Sequence, residues 1–321
     1  MMRRLLFLLL LFNAYAGPSY AQDWPNKTVR IIVPFGAGGV GDLLGRMAAD
    51  HLGNALKASF VVENRAGAGG MLGAQAGANA DPDGYTLTLT NVSTLSLVPA
   101  TNAQTTYDPL KDFTHIAYIG GAPAALSVFP GTGAKTVKEL IAYGQSKPVS
   151  FGSTGVGSDG QIVGEAIGRA LGIKVQHVPY RGAPQAMTDL LGGVLTFLPF
   201  TIGQMGESIR QGKVNGLAVS SAERITSLPD VPTFKELGYP ELVTLTWFSL
   251  SGPAKLPRYI VETLNREIGV MLKKPETIAR LQQLGIITQS MSPEEFTSFV
   301  QQESARWRPM IEAAGLLGKV Q

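Results

Sequence analysis

The residues best placed for chemistry lie in two glycine-rich turns, each between an apolar run and a helical pattern. The first is Phe35–Asp42, FGAGGVGD, directly after the β-rich run Val29–Pro34. Phe35, Gly36, Ala37, Gly38 and Gly39 would present backbone N–H groups at the positive end of a helix beginning near Asp42, a ready site for an anion. Asp42 itself would cap that helix or accept a donor from the ligand. The second is Phe151–Gln161, FGSTGVGSDGQ. There the hydroxyls of Ser153, Thr154 and Ser158 join N–H groups running through Gly155 and Gly157, and Gln161 lies in the first turn of the following helix. Asn91, at the end of a further strand, adds a side-chain donor. Each charge-assisted contact contributes about 1.5–3 kcal/mol, so a few of them give micromolar binding or better.

The first turn also spells G-x-G-x-x-G through Gly36, Gly38 and Gly41, with Glu63 ending the next strand, which is the dinucleotide-binding pattern. Three observations oppose that reading. Pro34-Phe35 intrudes between strand and glycine, Asp42 would set a carboxylate against the pyrophosphate, and the export signal described below takes the chain away from the cytoplasmic cofactor pool. No cofactor is expected. His51, His115 and His177 are widely spaced, with no partner at metal-ligand spacing, and read as surface or strand residues. Neither Ser153 nor Ser158 sits in G-x-S-x-G, so no catalytic residue is assigned. An exported hydrolase or oxidoreductase using the same cleft stays as the alternative to a binding protein.

Positioning these turns requires strands followed by helices. Strands are expected at Val29–Pro34, Phe60–Asn64, Thr86–Asn91, Ile116–Ile119, Leu126–Phe129, Val149–Gly152, Val175–Val178, Leu195–Phe200, Leu217–Ser220 and Phe248–Ser251. Helices are expected at Leu43–Leu56, Val137–Ser146, Gln161–Leu171, Ala183–Leu191, Arg258–Lys273, Glu276–Leu284 and Glu294–Ala313. Thr136 with Glu139, Ser292 with Glu295, and Ser158 with Gln161 read as capping boxes, and Pro257, Pro275 and Pro293 suit first turns. Such alternation predicts an α/β fold of parallel sheets covered by helices on both faces. Ten strands in about 300 residues favour two lobes, with ligand at the carboxyl ends of the strands.

Glycine makes up 38 of the 321 residues, well above the usual share of about 7%. The glycines follow the strand-like runs, where backbone approaches a ligand or a neighbouring turn closely. Met1–Ala21 reads as a signal peptide: Arg3 and Arg4, the apolar run Leu5–Phe12, and cleavage near Ala21 after Ser19-Tyr20-Ala21. The run is too short to span a bilayer. Cysteine is absent, which excludes a disulfide framework and a lipid-anchor site. Without the two signal arginines the balance is 25 basic to 24 acidic residues, and no basic cluster suits nucleic acid or lipid. The expected place is the periplasm.

A set of ordered motifs resembles one family. Trp24-Pro25 with Lys27, IIVPFGAGG with Asp42, ENRAGAGG at Glu63–Gly70, Pro82-Asp83-Gly84-Tyr85-Thr86 and GSTGVGS at Gly152–Ser158 belong to it. So do VPYRG at Val178–Gly182, LAVSSAER at Leu217–Arg224 and Leu228-Pro-Asp-Val-Pro-Thr233. They are similar to the periplasmic receptors of tripartite tricarboxylate transporters, the Bug receptors. The resemblance implies a type II periplasmic binding protein: two doubly wound α/β lobes joined by two crossovers, closing over a small organic anion. It places residues 22–124 plus 245–321 in one lobe and 125–244 in the other, with crossings near Ala124 and Thr244. It further implies a monomer that delivers its ligand to the membrane components of the transporter. In this family one lobe's turn holds a ligand carboxylate and the other contributes partly through ordered water, and those turns correspond to Phe35–Asp42 and Phe151–Ser158. Amino-acid-binding members carry an aspartate where this chain has Phe200, so an aromatic or dicarboxylic acid is expected rather than an amino acid. Phe200 and Phe35 would supply apolar wall, Phe200 and Trp247 read equally as core residues, and the roles of Trp247 and Arg181 are left unassigned.

Overall fold

The computed structural model describes residues 24–318, and the expected signal peptide at Met1–Ala21 lies outside them. Ten strands form two five-stranded sheets. The first contains β1 (Val29–Val33), β2 (Phe60–Asn64), β3 (Thr86–Asn91), β4 (Phe113–Ala122) and β10 (Thr246–Pro253), in the order β2-β1-β3-β10-β4. The second contains β5 (Ala124–Val128), β6 (Val149–Ser153), β7 (Val175–Pro179), β8 (Phe197–Thr201) and β9 (Asn215–Val219), in the order β7-β6-β8-β5-β9.

The sheets are mixed, which corrects the expectation of wholly parallel ones. In the first, β10 runs antiparallel to both β3 and β4; in the second, β5 runs antiparallel to both β8 and β9. The reason is topological. Each reversed strand is the one by which the chain enters from the other sheet, so no crossover helix sets its direction.

Ten helices cover the sheets among the described residues. Helix α1 (Val40–Leu56) buries Leu44, Ala48 and Leu52 against Ile31, Val33 and Leu87, each leucine contributing about 1.5–3 kcal/mol. Helix α2 (Met71–Ala78) lies on the opposite face, after which a π-helical turn at Ser93–Leu97 runs into the short helix α3 (Val98–Thr101). Around the second sheet stand α4 (Val137–Ser146), α5 (Asp159–Ala170), α6 (Ala183–Leu191) and α7 (Ile202–Arg210). The chain closes with α8 (Arg258–Leu272), α9 (Pro275–Gln283) and α10 (Pro293–Ala313). Capping boxes form at Thr136–Glu139 and Ser292–Glu295. The one expected at Ser158–Gln161 does not form, because the Ser158 hydroxyl donates to the Gly155 carbonyl and Gln161 Oε1 accepts from Gly157 N–H.

The two passages between sheets are held together by one fully buried serine. Ser220 Oγ accepts from Ala124 N–H at 2.8 Å and donates to the Thr244 carbonyl at 2.7 Å. Its backbone bonds both segments as well, to Ala124 O and from Thr244 N. On the far side of the molecule α10 backs both sheets. Phe296, Val300, Trp307 and Ile311 share an apolar cluster with Trp247 of the first sheet and Phe151 and Phe197 of the second. Trp247 is therefore core rather than cleft wall, and its indole N–H donates to buried Glu303, as does that of Trp307.

Candidate ligand-binding site

The first turn is built so that its helix starts unoccupied by its own side chains. Helix α1 begins at Val40, two residues earlier than expected, with Gly39 as an N-cap that offers no side chain. The first-turn N–H groups of Val40, Gly41 and Asp42 have no intrahelical acceptor by geometry. Asp42 does not face the cleft. Its Oδ2 accepts from Gly38 N–H at 3.0 Å and from Arg46 Nε at 3.1 Å, while Oδ1 accepts from Arg46 Nη2 and Asn64 Nδ2. Asn64 also donates to the Phe35 carbonyl, so the end of β2 straps the turn. Burial pushes the Asp42 pKa up, but the bonds from Arg46, Gly38 and Asn64 outweigh it and hold the carboxyl below its ordinary value. Asp42 is thus a brace fixed as the anion.

The second turn is largely satisfied from within, which corrects the expectation of free N–H groups running through Gly155 and Gly157. Gly155 N–H donates to Ser153 Oγ, Gly157 N–H to Gln161 Oε1, and Ser158 N–H to the Gly155 carbonyl. Asp159 N–H donates across the cleft to Ser93 Oγ at 3.0 Å. Ser153 lies fully buried 2.6 Å from His177 Nε2, a serine–histidine contact that sequence spacing could not reveal. Burial lowers the His177 pKa to about 4, so the ring is neutral.

Between the two turns lies a partly open cavity of about 50 Å³. From the first lobe its wall takes Phe35, Gly36, Gly39, Asn91, Thr246 and Phe248, with Val40 and Gly41 at the helix start. From the second it takes Thr154, Asp159, Pro199, Phe200, Thr201 and Gln204, with Ala183. Of the sequence-derived residues, Phe35, Gly36, Gly39, Asn91, Thr154 and Phe200 meet here. Ala37 and Gly38 are exposed outside the wall, and Asp42, Ser153, Gly155, Gly157, Ser158 and Gln161 support the turns from behind. Arg181 is exposed; only its carbonyl approaches the first turn, near Gly36. Sequence reasoning missed Asp159, Gln204, Thr246 and Phe248. The pattern Thr201-x-x-Gln204 at the end of an apolar run is the signal that could have found Gln204 and its helix.

The wall supplies donors without a cation. Asn91 Oδ1 accepts from Thr94 N–H at 3.1 Å and from its hydroxyl, which turns the Asn91 NH₂ toward the cavity. Gln204 Oε1 likewise accepts from Thr201 N–H and hydroxyl, freeing its own NH₂. No lysine, arginine or histidine stands on the wall among the described residues. Those residues also hold no cluster of three metal-ligating side chains.

The lobes touch backbone to backbone around this cavity. A β-carbon placed on Gly36 would stand 3.6 Å from Gly182 Cα, and one on Gly155 would stand 2.7 Å from Gly69 N. Gly69, at φ +64°, faces the Val156 carbonyl just as closely. Ligand sites for small molecules generally span about 300–1,000 Å³, so the lobes here are drawn together.

Two like-built α/β lobes, crossed twice and shut over a donor-lined cleft, define a periplasmic binding protein. Residues 44–316 match the family described as tripartite tricarboxylate transporter family receptor, TctC. The chain belongs to that family: it is a solute-binding receptor and not an enzyme. It is 33% identical to the protein BugT of Bordetella pertussis over 98% of both chains. Among solved structures it resembles the periplasmic binding protein BugD, at 30% identity, TM-score 0.87, and 92% and 99% coverage of the two chains. An R. palustris protein solved with adipate gives the same figures. MatC from Rhodopseudomonas palustris with bound malate matches at 30% identity and TM-score 0.85, covering 90% and 100%.

Proposed function

We propose that this receptor captures a small organic carboxylate by closing its lobes, and hands it to the membrane components of a tripartite tricarboxylate transporter. Residues 22–124 with 245–321 would form one moving body and 125–244 the other, after removal of the signal peptide and release into the periplasm as a monomer. The observation that carries the reading is the unpaired start of α1. Its first residues, Val40 and Gly41, line the same cavity as Asn91 and Gln204, whose amide oxygens are taken up by Thr94 and Thr201. A carboxylate can be held there by neutral donors and a helix dipole alone. Phenylalanines 35, 200 and 248 line the remainder, which suits an aromatic or dicarboxylic acid better than an amino acid.

A thermal-shift panel on the mature chain tests this with mono-, di- and tricarboxylates, aromatic acids, amino acids, sugars and nicotinamide dinucleotides. Ligand at 100 times its dissociation constant stabilises by about 2.7 kcal/mol, a shift readily seen. Carboxylates should raise the midpoint. Stabilisation by dinucleotides alone would sink the proposal.

A further inference from the structure

Asp159 is the one acidic side chain on the cavity wall among the described residues, and no basic side chain stands beside it there. It opens α5 and reaches across to the first lobe. Oδ2 accepts from Thr246 Oγ1 at 2.6 Å, and Oδ1 accepts from Ser93 Oγ at 3.1 Å. Two hydroxyls leave a carboxylate with unused lone pairs, since it accepts about four bonds. A carboxylate in a receptor for carboxylates needs a reason. Two like charges in one cleft repel, and no cationic side chain on this wall offsets the repulsion.

We infer that Asp159 sets the charge of the ligand: the cleft takes a singly charged aromatic carboxylate bearing a hydroxyl at its far end, and rejects a second carboxylate there. This rests on the receptor reading above. The ligand's carboxylate lies at the start of α1. Its ring lies among Phe35, Phe200 and Phe248, and its hydroxyl donates to Asp159. An uncharged donor satisfies the open lone pairs of Asp159 without adding charge, and a bond of this kind to an ionised acceptor is among the stronger ones.

Calorimetric titration of the full mature chain with 4-hydroxybenzoate, benzoate, terephthalate, adipate and malate tests the assignment. The hydroxy acid should bind at least tenfold tighter than benzoate or terephthalate. Asp159→Asn should narrow or invert the gap, raising terephthalate affinity about tenfold while weakening 4-hydroxybenzoate. Ser93→Ala and Thr246→Val remove the bonds to Asp159 and keep its charge, so they should weaken all aromatic acids by a common factor and leave the ratio unchanged. Terephthalate binding wild type as tightly as 4-hydroxybenzoate would overturn the inference, as would a ratio unmoved by Asp159→Asn. Binding of adipate or malate with no aromatic acid bound would overturn it too, while leaving the receptor reading intact. Absence of binding by every acid would overturn both.

Discussion

Gly69→Ala should impair ligand capture while leaving each lobe folded. Gly69 sits at φ +64°, where an L-residue costs about 1–2 kcal/mol whether the lobes are open or closed. Its new methyl would also press on the Val156 carbonyl oxygen and stand 3.1 Å from Ser158 N, both in the opposite lobe. That second cost exists only when the lobes meet. Overpacking a rigid contact costs about 1–3 kcal/mol, so affinity should fall about 5- to 150-fold. Gly133→Ala supplies the control: its φ is +78° and no heavy atom lies within 4 Å of the added carbon. It should lower stability by the backbone cost alone and leave affinity unchanged. Calorimetry gives the affinities, and small-angle scattering at saturating ligand gives the compaction. Gly69→Ala binding within twofold of wild type, with normal compaction, would refute the argument that these glycines permit closure.

Asn91→Asp keeps an acceptor for Thr94 but replaces the donor with a charge. At about 4–5 Å and an effective dielectric near 20, repulsion of a ligand carboxylate reaches about 3–4 kcal/mol, so binding should drop more than 100-fold with little change in melting temperature. His115 is buried in β4 against Phe296, and burial lowers its pKa to about 4. The unfolded chain takes up that proton near pH 6.5 and the folded chain does not, so stability is full above pH 6.5 and lost as pH falls toward 4. The slope should approach about 1.4 kcal/mol per pH unit, with a smaller share from half-buried His177. Urea midpoints at pH 7.5, 5.5 and 4.5 check this, and His115→Phe should flatten the dependence. Glu303→Ala strands two indole N–H groups and should cost about 2–4 kcal/mol, read as a lower melting temperature.

The strands were legible as short apolar runs, such as VRIIV and FLPFT, set between helical patterns. Helix α2, MLGAQAGA, was not, because small residues on every side leave no apolar stripe to read. Nor was the reversal of β5 and β10: a strand's residues record burial, and its direction is decided by where the chain comes from. The turns show the same division. Their glycines and hydroxyls marked both as special, yet spacing does not say whether Ser153, Ser158 and Gln161 turn outward or fold back on their own backbone. Asp159 was adjacent to a recognised turn and still passed over, since its importance comes from Ser93 and Thr246, far away in sequence.

The Ser220 staple also bears on the order in which the chain can assemble. Thr90 and Ser249 are hydrogen-bonded across β3 and β10 although 159 residues separate them, whereas the second sheet draws only on strands from Ala124 to Val219. The first sheet must therefore wait for a strand synthesised late, and long-range pairings of this kind form slowly. Once the inner sheet has folded, Ser220 ties Ala124 to Thr244 and turns an insertion of about 120 residues into a short bridge, removing roughly 3 kcal/mol of loop-closure cost. The residue that joins the lobes in the finished receptor thus also makes the inner lobe a template on which the outer one closes.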